Sequence, residues 1–317
     1  MAPMKKWALV ILGLIVSILF LWLILSGAAG DVHATDVLMH MSKVSITWFA
    51  FAVAALALNY PANTFRFECV LSRAEAVKRD FFQLLAVIWT SAFLSLATPS
   101  TLFSDGFRVT LMRVLRITDF SLAVRAVLLD RFTGLLYMLG LAGVMLLILP
   151  VGLRSDLTNL GGLLFLVAFL GAIATVFIAS AVVNKVALMF RLRSLVDGMR
   201  RLMSTPGWIA LFLGFALFNA TTFAVCLWCV ARGLDADIGL WPLFVLSPAI
   251  LVVNNLPIFY QGFGGREAMM VLVIGSSVGT IDANLTVAVS LLSGGALVVS
   301  ALLGAGFTPF VALRRKH

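Results

Sequence analysis

The chain has 317 residues, of which 62% are hydrophobic and only 12% charged, and its mean hydropathy is +1.09. Soluble domains carry about 25% charged residues, so composition excludes an ordinary soluble domain and predicts an all-α polytopic membrane protein. The net charge of +9 lies in short segments between apolar runs, which argues against a nucleic-acid partner and for the positive-inside bias of membrane loops.

In chain order, residues 7–26 read as a retained first span, because the apolar run is longer than the core of a signal peptide. Residues 29–43 read as a loop and 44–62 as the second span. Residues 64–80 read as a loop holding Arg66, Arg73, Lys78 and Arg79. Residues 81–98 are largely apolar and stop at Pro99; residues 104–119 are amphipathic. Residues 120–150 form a long apolar run that carries Arg125, Asp130 and Arg131. Spans follow at 157–183 and 207–231, separated by the basic loop 184–206. Two short apolar runs, 240–254 and 267–279, flank a glycine-rich break, and 284–311 is the last span.

Basic residues cluster at both ends of the chain, in 64–80 and in 184–206, whereas 29–43, 151–156 and 232–238 hold one each. That bias places both termini on the cytoplasmic side of a cell (inner) membrane. Parity then requires 81–118 and 240–279 to enter and leave on one side, as re-entrant helical hairpins. The two hairpins match: Pro99 is followed by Gly106 at +7 and Arg108 at +9, and Pro257 by Gly264 at +7 and Arg266 at +9. Asn63, Thr64 and Phe65 also resemble the stretch from Ala220 to Phe223. The prediction is one integral membrane domain over 1–317. It comprises two inverted repeats, 1–150 and 151–317, each with three spans and one re-entrant hairpin. Broken helices at corresponding positions of inverted repeats point to a transporter's binding site.

An arginine placed at bilayer depth costs at least about 2.5–3.5 kcal/mol, so Arg108 and Arg266 need a partner. The starts of the second hairpin helices are expected to supply one environment for an anion. Ser104 and Asp105 are good caps for the first, and Gly262, Gly264 and Gly265 would leave amides bare at the second. Helix N-termini attract anions, and guanidinium forks match phosphate oxygens. Asp105 and Glu267 would temper the charge. The plainer alternative is that these arginines are paired structural residues without a ligand. Asp130 and Arg131 read as an intramembrane ion pair or as lining of the same headgroup path. Asn59, Asn63, Arg66, Asn254 and Asn255 are secondary candidates, read first as packing or boundary residues.

Enzyme signatures fail on context. The run Gly275 to Gly279 fits G-x-S-x-G but ends an apolar helix, and the only histidine after it is His317. Cys226 and Cys229 lie inside a span, and His33, His40 and His317 have no metal-ligand spacing. No phosphate-binding or dinucleotide glycine loop is present, so no cofactor and no metal is expected.

At these motifs the chain resembles the lysylphosphatidylglycerol synthase transmembrane region, or flippase-like domain, family. Pro257 followed by Gly262, Phe263, Gly264, Gly265, Arg266 and Glu267 resembles that family's late motif. Ser104 to Arg108 resembles an earlier glycine-acid-arginine stretch, with Ser104 where glycine is common, and Asp130-Arg131 an acidic-Arg pair. The resemblance implies lipid translocation but does not carry over a substrate; a lipid with an anionic, phosphate-bearing headgroup is the ligand that the arginines and helix starts point to. Aminoacyl-transferase or glycosyltransferase domains occur fused in the family, and the resemblance implies a stand-alone flippase-like module; a lipid synthase or glycosyltransferase is the partner only in the third reading below, docked through the basic inner loops. Three functions follow as alternatives: a lipid flippase or scramblase, an intramembrane lipid-phosphate transferase, and a non-transporting partner of a lipid-modifying enzyme.

Overall fold

The computed structural model describes residues 32–75, 80–98, 102–149, 156–183, 196–200, 204–255, 259, 262–275 and 282–314, with isolated positions between 15 and 26. The described residues are helical and contain no strand. The elements are α1 (Ala34–Ser42), α2 (Ile46–Ala57), α3 (Asn59–Glu75), α4 (Phe81–Ser95), α5 (Leu102–Val114), α6 (Phe120–Leu147), α7 (Asp156–Val183), α8 (Pro206–Gly233), α9 (Leu240–Asn254), α10 (Gly265–Met270), α11 (Ala283–Leu302) and α12 (Thr308–Arg314). Among the described residues, four helices are long and apolar enough to cross a membrane, and five if the bent pair Ala34–Ser42 and Ile46–Ser72 counts as one. The protein is a multi-pass membrane protein.

Two predicted loops are helix. Residues 34–42 of the first form α1, which meets the next helix at 94°. It docks on the start of α11, where the His33 amide donates to Asn284 Oδ1 at 2.7 Å and His40 Nε2 lies 3.3 Å from Asp282. The predicted loop 64–80 is helical to Glu75. Arg66 therefore leaves the loop tally and becomes a mid-helix residue. Apolar Phe67, Val70 and Leu71 beside it are fully packed, and that burial carries the helix past its polar composition. The α2/α3 break at Leu58 has a local cause: the ring of Pro61 clashes with the carbonyl four residues back, which is Ala57, the last residue of α2.

Other boundaries sit close to their sequence expectations. Asp80 and Asp282 cap α4 and α11 by accepting from the amides of Phe82 and Asn284 at 3.0 Å each. Pro206 opens α8, where its missing N–H costs nothing. By contrast, α5 begins at Leu102, so Ser104 and Asp105 lie within its first turn instead of capping it. Most of the first predicted span, Pro99, Pro257, residues 276–281 and most of the 184–206 loop lie outside the described residues.

Burial separates inner from outer helices. Over their apolar windows α6 and the α11–α12 helix are 56% buried, whereas α7 is 11% buried. Helix α7 thus presents most of its surface to lipid while leaning on α6 through small residues. A Cβ at Gly143 would stand 2.7 Å from Leu166, and one at Gly162 3.2 Å from the Gly143 carbonyl. Such close backbone approach substitutes for the missing hydrophobic drive between helices in lipid. The short helices α4 and α5 pack together, as do α9 and α10. Helix α9 also packs along α6, and α4 packs on the 3₁₀ turn Leu303–Phe307, where Trp89 Nε1 donates to the Ser300 carbonyl at 2.9 Å.

Candidate functional site

Five helices converge on one polar cavity of about 280 Å³. Helix α3 contributes Asn59, Asn63 and Arg66, spaced by four and three residues on a single face. Helix α5 contributes Asp105 and Arg108, α6 contributes Asp130, Arg131 and Gly134, α8 contributes Asn219, and the end of α9 contributes Asn255.

Asp130 is the centre of the site. Its side chain is 4% exposed, and Arg66 forks onto it with Nε to Oδ1 at 2.8 Å and Nη2 to Oδ2 at 3.0 Å. Arg108 Nη1 reaches the same carboxylate at 3.4 Å and stacks on the Phe67 ring with its guanidinium carbon 5.2 Å from the centroid. Arg131, the next residue on α6, lines the same cavity and pairs with Asp105. Gly134 makes room for the fork, since a Cβ there would stand 2.9 Å from Arg66 Nη1. Among the described lining residues, three guanidiniums thus face two carboxylates, an excess of one positive charge. Arg108 Nε is buried and has no hydrogen-bond partner among the described residues. Four asparagine side chains complete the wall. Asn219 Nδ2 donates to Asn63 Oδ1 at 3.4 Å, and Thr222 donates to Asn59 Oδ1 at 2.7 Å.

Arg266 and Glu267 form a second group, and Arg266 does not line this cavity. Both side chains are 0% exposed. Arg266 Nη2 and Nε donate to Glu267 Oε1 at 2.9 and 3.2 Å, Nε also meets Ser290 Oγ at 3.1 Å, and Ser290 donates to the same carboxylate oxygen at 2.9 Å. The guanidinium stacks on Phe263 at 4.9 Å. Gly264, at φ +90°, is not a bare amide: its N–H donates to Glu267 Oε2 at 2.6 Å. Gly262, at φ +81°, and Gly265 permit close packing, the first against Asn254 and the second against Val253 and Phe259. Helix α10 is only six residues long before it opens into a π-turn at Val271–Gly275.

The packing around Arg266 is tight enough to predict a single-methyl effect. A Cβ at Gly294 would stand 2.3 Å from Arg266 Nη2 and 2.9 Å from Phe263. The guanidinium is held by its pair and cannot withdraw. Gly294→Ala should therefore destabilise by about 1–3 kcal/mol. Gly295→Ala, whose nearest neighbour is Phe49 at 3.9 Å, should be close to neutral; thermal unfolding in detergent compares the two.

Of the residues singled out from sequence, Asp105, Arg108, Asp130 and Arg131 therefore share one cavity, and Arg266, Glu267, Gly264 and Gly265 share another environment. Arg125 lines neither, and its Nε donates to the Ser121 carbonyl at 3.3 Å. Of the secondary candidates, Arg66, Asn59, Asn63 and Asn255 line the cavity, and Asn254 does not. Asn219 was missed, although it immediately precedes the stretch Ala220 to Phe223 that resembles Asn63 to Phe65.

A search of curated proteins gave no match for this chain. The family model described as lysylphosphatidylglycerol synthase TM region matches residues 10–313. That match takes in every helix lining the cavity and the buried Arg266–Glu267 pair, and the chain belongs to this family.

Proposed function

We propose that this chain is a lipid flippase or scramblase, and that its cavity admits the phosphate of a membrane-lipid headgroup. The observation that carries this function is the cluster of Arg66, Arg108 and Arg131 around Asp130 and Asp105 in a chain otherwise built for lipid. A surplus guanidinium, with one buried N–H unused on Arg108, suits an anion that supplies the missing acceptor. In this reading the anion site is the Arg66–Arg108–Arg131 cluster in place of an Arg108–Arg266 pairing, and the sealed Arg266–Glu267 pair is structural.

Two inverted halves moving about this site would account for exposure to either leaflet. Supporting that arrangement, α2–α3 and α8 run antiparallel, with Ser45 bonded to Gly233, Trp48 against Trp228, Asn59 bonded to Thr222 and Asn63 to Asn219. Each hairpin also leans on the long span of the opposite half, α9 on α6 and α4 on the end of α11.

Leaflet exchange of a labelled anionic phospholipid in reconstituted vesicles tests the function. A hydrogen bond to a charged group contributes about 1.5–3 kcal/mol, and each 1.4 kcal/mol is a factor of about ten. Arg66→Ala and Arg108→Ala should each slow exchange at least about tenfold, while Arg125→Ala should leave it near wild type. Equal rates in all variants would overturn the proposal, and chemical conversion of the lipid would favour a transferase.

A further inference from the structure

Along α3 the polar cavity passes from a charged lining to a neutral one. Arg66 stands about 10 Å along the helix axis from Asn59, with Asn63 between them on the same face. Asn219 on α8 and Asn255 at the end of α9 line the same cavity. Part of each amide serves the fold. Asn63 Oδ1 accepts from Asn219 Nδ2, Asn59 Oδ1 accepts from Thr222, and Asn255 Nδ2 donates to the Leu251 carbonyl at 2.7 Å. The first two bonds tie α8 to α3, the ordinary use of asparagine between membrane helices. They leave the rest of each side chain unused. Nδ2 of Asn59 and of Asn63, and Oδ1 of Asn219 and of Asn255, have no partner among the described residues. The amide end of the cavity therefore offers donors and acceptors together. A hydroxyl, itself both donor and acceptor, matches that mixture.

The same lining argues against an ammonium. Asp130 is held by Arg66 and Arg108, and Asp105 by Arg131, so each carboxylate is already engaged by a guanidinium. The excess charge of the lining is positive and would repel a cation. Among the described lining residues none is aromatic, so no ring faces the cavity to receive a quaternary ammonium. The cavity, at about 280 Å³, lies just under the ~300–1,000 Å³ usual for small-molecule pockets, which suits a compact headgroup.

We infer that the headgroup taken by this cavity is a phosphodiester bearing an uncharged, hydroxylated group, a polyol such as glycerol, and that the asparagine wall reads its hydroxyls. The inference rests on the proposed phosphate site and adds the substrate class to it. The arginines hold the phosphate, and Asn59, Asn63, Asn219 and Asn255 select what the phosphate carries.

Native mass spectrometry of the detergent-purified chain, with equimolar lipids of identical acyl chains, tests the inference. The probes are phosphatidylglycerol, phosphatidylmethanol and phosphatidylethanolamine. Phosphatidylmethanol has the same phosphodiester and charge but a methyl in place of the polyol, and phosphatidylethanolamine carries an ammonium. The share of binding lost in Arg66→Ala/Arg108→Ala belongs to the cavity. In that share phosphatidylglycerol should exceed phosphatidylmethanol at least about fivefold, the value of one neutral hydrogen bond, and phosphatidylethanolamine should not exceed phosphatidylmethanol. Asn63→Leu/Asn219→Leu removes both partners of one bond and strands neither; it should bring phosphatidylglycerol down to the phosphatidylmethanol level. A wild-type ratio of phosphatidylglycerol to phosphatidylmethanol near one, which needs no variant to fold, would overturn the inference and leave the phosphate site standing. So would a preference that survives the asparagine substitutions, or a preference for phosphatidylethanolamine. If the arginine double variant binds all three lipids as the wild type does, the phosphate site itself fails, and the inference with it.

Discussion

Glu267→Ala is expected to destabilise the chain by about 3–5 kcal/mol, the usual consequence of leaving a buried charge without its partner. The carboxylate has no solvent to be replaced by, since both members of the pair are 0% exposed. Its removal leaves Arg266, among the described residues, with Ser290 and the Phe263 ring, and frees the Gly264 amide that it holds at 2.6 Å. The same pair ties α10 to α11 through Ser290, so the second hairpin should loosen along with it. Replacing both residues, Arg266→Met/Glu267→Met, should restore at least half of the loss, because a buried ion pair exchanged for apolar side chains of similar volume is often close to neutral. Unfolding of the wild type, Arg266→Met, Glu267→Met and the double variant in detergent gives the coupling directly. A Glu267→Ala protein within about 1 kcal/mol of wild type would mean that the pair is not dry.

Asp130→Asn should have the opposite character, changing binding more than fold. Asparagine keeps the shape and one acceptor for the Arg66 fork, so a folded protein is expected. The change removes one of two carboxylates facing three guanidiniums and doubles the excess positive charge. A unit charge about 7 Å from an anion at an effective dielectric near 20 is worth about 2 kcal/mol. Phosphate-lipid affinity should therefore rise at least about tenfold, while leaflet exchange slows because release becomes limiting. Weaker binding would show that Asp130 serves chiefly to orient Arg66 and Arg108 for the ligand.

Much of the fold was legible before any coordinates. Span positions followed from apolar runs that only lipid or a large core could satisfy, and the observed α6, α8, α9 and the continuous α11–α12 helix begin and end within a few residues of them. The failures share a physical origin. Residues 34–42 and 64–75 are polar enough to read as loops, yet they are helical because one face is buried against neighbours distant in the chain. The cavity was half legible. Asp105, Arg108, Asp130 and Arg131 stood out as charges with no place in hydrocarbon. Arg66 stood only among the secondary candidates because it reads as a loop cation, and Asn219 was hidden by the ordinariness of a lone asparagine in an apolar helix.

Composition and the spacing of charges were sufficient to establish a helical membrane protein and to single out the residues that lipid could not tolerate. Which of those charges meet was settled only in three dimensions. Arg66 and Asp130 are 64 residues apart, and Arg131 and Asp105 are 26 apart. Two arginines at matching positions of similar hairpins nonetheless have different surroundings, one on a polar cavity and one sealed beside its own neighbour. Local sequence sets the energetic need for a partner, but helix packing determines which partner lies within reach.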